Sequence, residues 1–151
     1  MTLIIGYGST LRRDDGIGCI IAEQLMDAPP SAISNLKSAI DIIARHQLTP
    51  DLADAVQQAD HIIFIDACAD AAPGEVRLAE VKPAGENWGA FAHEMSPGVL
   101  LDCVRDVYGK TPRAHLITIG GETFDIGEGL TPKVQAAIPV VHKMLAALTA
   151  K

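Results

Sequence analysis

The sequence predicts one layered α/β domain spanning residues 1–151. Short apolar segments typical of strands alternate along the chain with segments of helical periodicity, which is the pattern of a layered α/β domain. Three helical segments begin with Ser-Pro or Thr-Pro, a capping residue followed by the residue favoured at the first helical position. No tract resembles a linker, a low-complexity segment or a domain-sized repeat, so a single domain is expected.

The first half of the chain contains three predicted strands and two predicted helices. The apolar run TLIIG (2–6) ends at a glycine and suits a buried strand, and a helical pattern follows from Asp15. LKSAIDII (36–43) is an ambiguous second strand, and Thr49 is the expected N-cap of the next helix. HIIFIDA (61–67) is almost wholly apolar and β-branched, which predicts a central strand.

The second half repeats this alternation. EVRLAEV (75–81) alternates polar and apolar residues, as a half-exposed edge strand does. A helix is expected between the cap Ser96 and the stop signal Gly109, followed by a strand over 114–121. A last helix is expected over 131–148, with a kink caused by its internal proline, Pro139.

The composition limits the partners and the compartment. The formal net charge is −7 and the isoelectric point is about 5.0, so the surface repels polyanions and we expect no nucleic-acid or membrane partner. The three cysteines are scattered, which is typical of reduced cysteines in a cytoplasmic protein. No apolar stretch approaches the roughly 18 to 20 residues of a membrane span, and no signal peptide is expected.

The turn GYGSTLRRDDGIG resembles a nucleotide loop but lacks what such a loop needs. The dinucleotide fingerprint G-x-G-x-x-G requires a third glycine where this chain has Leu11. Asp14 and Asp15 place negative charge at the helix start, where a phosphate would bind. Asp14 could serve as the N-cap of the helix. Because a helix start needs only one such cap, we assign a functional role to Asp15.

Other polar residues stand where a site could form. Asp66 ends the central strand, and ligands of open α/β sheets bind beyond the carboxyl ends of the strands. His93 follows in a predicted surface loop, and carboxylates with one imidazole suit a divalent ion such as zinc, nickel or iron. His46, like His93, lies three residues before a helix cap, where a polar residue can also be merely structural. Glu122 lies in the glycine-dense segment 118–132, interpreted either as a solvated turn or as the rim of a site.

Together, four segments of the chain resemble the maturation endopeptidases of nickel-iron hydrogenases. These segments are GYGSTLRRDDGIG, FIDA, HEMSPGVLL and GGETFDIGEGLTPKV, and they occur in the family's order from Leu3 to the last helix. The resemblance implies a three-layer fold of the phosphorylase/hydrolase-like kind, with a twisted, mainly parallel sheet and helices on both faces. It also implies an endopeptidase that removes the C-terminal peptide of the hydrogenase large-subunit precursor once nickel has been inserted.

The resemblance further implies a set of site residues. Three positions contact the metal in such proteins, and they correspond here to Asp15, Asp66 and His93, with Asp15 and Asp66 also the catalytic candidates. The nickel is expected to come with the precursor, and another divalent ion such as zinc or cadmium could replace it. ARHQLTP (44–50) differs from the family's glycine-rich stretch, which makes His46 a candidate substrate contact beside Glu122 and the alternative third metal contact.

Two other functions are compatible with parts of this pattern. A module that binds a metallated partner without cutting it would use the same carboxylates for docking alone. A nucleotide-dependent oxidoreductase would need phosphate room that the two aspartates deny. A serine or cysteine nucleophile is not supported, because there is no G-x-S-x-G motif and Cys68 has no activating base beside it in sequence.

Overall fold

The computed structural model describes residues 1–85, 88 and 95–150, and over these residues five strands form one sheet. The strands are β1 (Thr2–Tyr7), β2 (Ile40–Arg45), β3 (His61–Cys68), β4 (Val76–Val81) and β5 (Arg113–Gly120). Their order across the sheet is β2-β1-β3-β5-β4, so β3 is central, as expected. β1 runs parallel to β2 and β3, β3 runs parallel to β5, and only β4 is antiparallel. The mainly parallel α/β fold is confirmed.

Helices cover both faces of this sheet. They are α1 (Ile17–Asp27), α2 (Ser31–Ser34), α3 (Ala53–Gln58), α4 (Pro97–Tyr108), α5 (Pro132–Gln135) and α6 (Ile138–Thr149). Alternate residues of the strands point to opposite faces and enter two separate cores. Leu3 and Ile5 pack with α3 and α4, whereas Ile4 packs with α1 and α6. Each fully buried side chain of this kind contributes about 1.5–3 kcal/mol.

The starts of the helices agree with the sequence in part. Ser96 caps α4 as expected, since its Oγ accepts the Val99 N–H at 3.2 Å, and Gly109 ends that helix with a φ of +68°. Thr49 and Thr131 stand at the expected positions but make no side-chain capping bond. The Thr49 hydroxyl donates to the Asp51 carboxylate instead, and the Thr131 hydroxyl is used by Asp14.

The kink expected at Pro139 is wrong. The chain forms two helices, α5 and α6, and Pro139 lies in the first turn of α6. A proline is tolerated there because the N–H it lacks would have no acceptor within the helix. The helix expected from Asp15 also begins later than predicted, because Arg13–Gly16 forms a 3-10 turn and α1 starts at Ile17.

No helix within the described ranges is both long enough and apolar enough to cross a membrane.

Candidate active site

A cavity of about 220 Å³ opens at the carboxyl ends of β1 and β3, beside the segment that follows β2. It is the position at which open α/β sheets bind ligands. The residues lining it are Tyr7, Gly8, Asp15, His46, Gln47, Leu48, Asp66 and Met95. A larger depression of about 380 Å³ lies between the end of α3 and the start of β5 and contains none of the predicted site residues. The smaller cavity is therefore the candidate site.

Asp15 is held in the cavity wall by the Gly-x-Gly turn. Gly8 has a φ of +139°, and a Cβ there would stand 1.9 Å from the backbone oxygen of Asp15, so only glycine fits. The Ser9 N–H donates to Asp15 Oδ2 at 2.9 Å. The Asp15 carboxylate thus accepts a hydrogen bond from a backbone N–H that, in a nucleotide-binding loop, would donate to a phosphate. This contact is a physical reason against the nucleotide-dependent alternative.

Asp66 reaches the same cavity from the end of β3. Its Oδ1 accepts the N–H of Ala67 at 2.8 Å, and the Tyr7 hydroxyl is a second hydrogen-bond partner. Burial raises the pKa of Asp66 to about 7, although both hydrogen bonds favour the carboxylate, and the negative charge of Asp15 raises it further. Asp66 is therefore partly protonated and partly ionised near neutral pH.

Tyr7 completes this part of the wall. Its ring is buried and meets Phe64 edge to face, with the ring centroids 6.5 Å apart at 87°. Burial and then the charge of Asp66 raise the pKa of Tyr7 well above its usual value. The phenol accordingly stays protonated and acts as a donor toward Asp66.

The Asp15–Asp66 pair gives the cavity acidic walls, which favour a positively charged group. The negative charge of Asp15 disfavours ionisation of Asp66 across this small cavity, and a cation between the two carboxylates removes that penalty. Within the described ranges, no cluster of three or more His, Cys, Asp or Glu side chains is arranged to hold a metal ion.

The remaining predicted site residues have different positions. His46 is exposed and lines the cavity together with the two aspartates. Glu122 is exposed on the loop after β5 and does not line the cavity. His93 lies outside the described residues, and Met95, two positions later in sequence, lines the cavity.

Asp14 has a role that the sequence did not reveal. It is completely buried, and its carboxylate accepts four hydrogen bonds from the segment after β5: from the N–H groups of Glu122 (2.9 Å), Thr123 (3.2 Å) and Thr131 (2.8 Å) and from the Thr131 hydroxyl (2.8 Å). Burial opposes ionisation, yet these bonds together hold the pKa of Asp14 below its usual value. The N-cap interpretation is wrong, and the adjacent pair of aspartates in the sequence was the only signal available.

The chain is similar to solved structures of hydrogenase maturation proteases. Hydrogenase maturating endopeptidase HybD from E. coli is 27% identical, with a TM-score of 0.68 over 97% of this chain and 91% of that one. The [NiFe] hydrogenase maturation protease HycI from Thermococcus kodakarensis KOD1 is 17% identical, with a TM-score of 0.71 over 97% and 90%. HybD from Thermococcus kodakarensis is 22% identical, with a TM-score of 0.67 over 99% of both chains.

No protein-family model matches the sequence, and no curated protein gives a significant match. The structural similarity nevertheless extends over nearly the whole chain. The chain therefore has the fold of the [NiFe] hydrogenase maturation proteases, and the resemblance to that family is confirmed.

Proposed function

We propose that this protein is an endopeptidase that removes the C-terminal peptide from a nickel-iron hydrogenase large-subunit precursor after nickel insertion. The observation that carries the proposal is the convergence of Asp15 and Asp66 on one cavity at the carboxyl edge of the sheet. The fold shared with hydrogenase maturation proteases supports the reaction class. We place the reaction in the cytoplasm, on the evidence of the scattered cysteines.

The nickel of the precursor serves in this proposal as the recognition element. Asp15 and Asp66 supply carboxylate oxygens, and a nickel ion carried by the substrate offsets the repulsion between them. His93 is the proposed third contact, with His46 as the alternative because it lines the same cavity. Zinc or cadmium, which share an affinity for carboxylate and imidazole ligands, could take the place of nickel.

Peptide hydrolysis requires a proton acceptor and later a proton donor, and Asp66 can be both. Without a bound metal ion the pKa of Asp66 is about 7, and a nickel ion beside it would favour the carboxylate, the form that accepts a proton. The carboxylate takes a proton from the water whose oxygen adds to the scissile carbonyl carbon. When the carbon–nitrogen bond breaks, the same proton passes to the departing amine, which restores the carboxylate.

Two residues are proposed to contact the substrate outside the reacting centre. His46 is exposed at the cavity and can donate to or accept from the precursor's backbone near the cut. Glu122 is exposed on the loop after β5, and its backbone is fixed by Asp14. It is therefore proposed as a contact at the rim rather than within the cavity.

Intact mass spectrometry of the purified precursor tests this function. Nickel-loaded precursor incubated with the protein should lose the mass of a short C-terminal peptide, and nickel-free precursor should stay intact. An unchanged mass despite a tight complex would contradict cleavage and indicate the non-cleaving binding module. Equal cleavage with and without nickel would contradict recognition through the metal.

A further inference from the structure

Tyr7 and Asp66 stand side by side at the carboxyl ends of two neighbouring parallel strands. Gly6 of β1 pairs with Ile65 of β3, and Tyr7 and Asp66 are the residues that follow this pair. Both side chains share the face of the sheet on which Phe64 packs, because residues two apart on a strand point the same way. The order of the strands therefore places a phenol beside the carboxylate that is proposed to take a proton from water.

Packing fixes the ring of Tyr7 in place. The residue is 8% exposed, its ring meets Phe64 edge to face, and it belongs to the same core as Leu48 and Met95. Its hydroxyl is a hydrogen-bond partner of Asp66, and both residues line the cavity. A phenol is protonated at neutral pH, so the hydroxyl donates and the carboxylate accepts. The donor is thus in position before any substrate enters.

Peptide hydrolysis at this cavity needs a hydrogen-bond donor as well as a proton acceptor. Addition of water to a peptide carbonyl places negative charge on the carbonyl oxygen, and donors fixed in position stabilise this oxyanion. Apart from the two aspartates, three of the cavity-lining side chains in the described part of the chain can donate, namely Tyr7, His46 and Gln47. His46 and Gln47 are exposed to water, whereas Tyr7 is buried, where a hydrogen bond is stronger. The Gly8 N–H is already used, since it donates to the Arg45 oxygen at 3.1 Å.

The negative charge that Tyr7 faces moves during the proposed reaction. Before the reaction, the Tyr7 hydroxyl donates to the Asp66 carboxylate. When that carboxylate takes a proton from the attacking water, Asp66 becomes neutral and the negative charge appears on the carbonyl oxygen. A phenol has one O–H, so a hydrogen bond that follows the charge is made to the substrate only in the transition state. Interactions of this kind raise kcat and leave KM unchanged.

We propose that Tyr7 is a catalytic residue whose hydroxyl donates a hydrogen bond to the oxyanion of the tetrahedral intermediate. This inference rests on the proposed function and deepens it. The water oxygen bonds to the carbonyl carbon, one water proton passes to Asp66, and the electron pair of the carbonyl π bond moves to the oxygen that Tyr7 contacts. That pair then re-forms the carbonyl, and the electrons of the carbon–nitrogen bond and the proton on Asp66 go to the departing amine. The Tyr7 hydroxyl donates to Asp66 again.

Tyr7→Phe tests the proposal, because it removes the hydroxyl and keeps the ring that packs on Phe64. In single-turnover cleavage of nickel-loaded precursor, the maximal rate should fall about 100-fold, while the precursor concentration that gives half of that rate should change less than about twofold. Tyr108→Phe is the matched control, because Tyr108 is the other tyrosine of the chain and is 40% exposed at the end of α4. This control should cleave at the rate of the unsubstituted protein.

A precursor with a phosphinic group in place of the scissile amide separates contact with the oxyanion from orientation of Asp66. Its tetrahedral phosphorus carries a charged oxygen where the oxyanion would form, and the group is not cleaved. In calorimetry with this nickel-loaded precursor, the dissociation constant should be about 100-fold higher for Tyr7→Phe than for the unsubstituted protein. Equal dissociation constants would overturn the oxyanion contact and would leave Tyr7 as a residue that only orients Asp66.

The outcomes also separate the role of Tyr7 from the reaction itself. Cleavage by Tyr7→Phe at the rate of the unsubstituted protein would overturn the role of Tyr7 and leave the peptidase intact. An unchanged maximal rate with a raised half-maximal precursor concentration would assign Tyr7 to substrate binding and would also overturn the proposal. An unsubstituted protein that leaves nickel-loaded precursor intact would overturn the proposed function, and the role of Tyr7 with it.

Discussion

The carboxylate of Asp14 accepts hydrogen bonds from both the N–H and the hydroxyl of Thr131, each at 2.8 Å, across a separation of 117 residues. The contact joins the turn after β1 to the segment that leads into α5. Since Asp15 directly follows Asp14, the same contact fixes the chain on one side of the candidate site. The buried Asp14 thus orders the chain around Asp15, which is half-buried.

We expect the two partners in this contact to differ in their effect on stability. Asp14→Asn leaves an amide NH2 among buried donors and should lower the free energy of unfolding by about 3 kcal/mol. Thr131→Val removes one donor but leaves Asp14 three backbone partners, so its cost should be about 1 kcal/mol. Urea unfolding at pH 7 measures both. Equal, small effects would contradict the central role of Asp14.

The stability of the protein should also depend on pH through Asp66. Because its pKa is raised to about 7, Asp66 is protonated in the folded state but ionised in the unfolded state between about pH 4 and pH 7. The free energy of unfolding therefore falls as the pH rises through this range. A shift of this size corresponds to about 4 kcal/mol, which water reaching the half-buried side chain reduces to about 2 kcal/mol. The free energy of unfolding of Asp66→Asn, relative to that of the unsubstituted protein, should therefore increase by about 2 kcal/mol between pH 4 and pH 8.

Thermal or urea unfolding of both proteins across this pH range measures the difference. Asp54→Asn provides the matched control, because Asp54 is an exposed carboxylate on α3. If the free energies of unfolding of Asp66→Asn and the unsubstituted protein differ by the same amount at every pH, the pKa of Asp66 is not raised and this account is contradicted.

The third metal contact can be assigned by comparing two histidine variants. We expect His93→Ala to lower kcat/KM for the nickel-loaded precursor by about 100-fold or more, as loss of a direct ligand does. His46→Ala should mainly raise KM, since His46 is exposed at the cavity and is proposed to contact substrate. The reverse result, with loss of activity only in His46→Ala, would transfer the metal contact to His46.

Local patterns in the sequence predicted the elements that carry the site. The apolar run at 61–67 could be read as a central strand, and its terminal Asp66 could be placed at the ligand-binding edge because that edge follows from parallel topology. The two aspartates after the Gly-x-Gly turn likewise signalled that the turn does not bind phosphate. These inferences depend on neighbouring residues only.

Contacts between distant residues could not be predicted. Thr131 has the local chemistry of a helix cap, but its hydroxyl is used by Asp14, and nothing within a few residues of either one indicates this. Pro139 was misassigned for a related reason, because the break before it depends on how α5 and α6 each pack on the sheet. The raised pKa of Asp66 also could not be predicted, because it depends on how deeply the side chain is buried in the folded protein.

Cleavage of nickel-loaded precursor by Asp15→Asn and Asp66→Asn tests the central claim most directly. Both substitutions keep the size of the side chain and remove its charge, and Asp54→Asn is the control that should cleave normally. Intact mass spectrometry should show no loss of the C-terminal peptide with either site variant, while circular dichroism shows that both remain folded. Normal cleavage by both variants would contradict the assignment of this cavity as the active site.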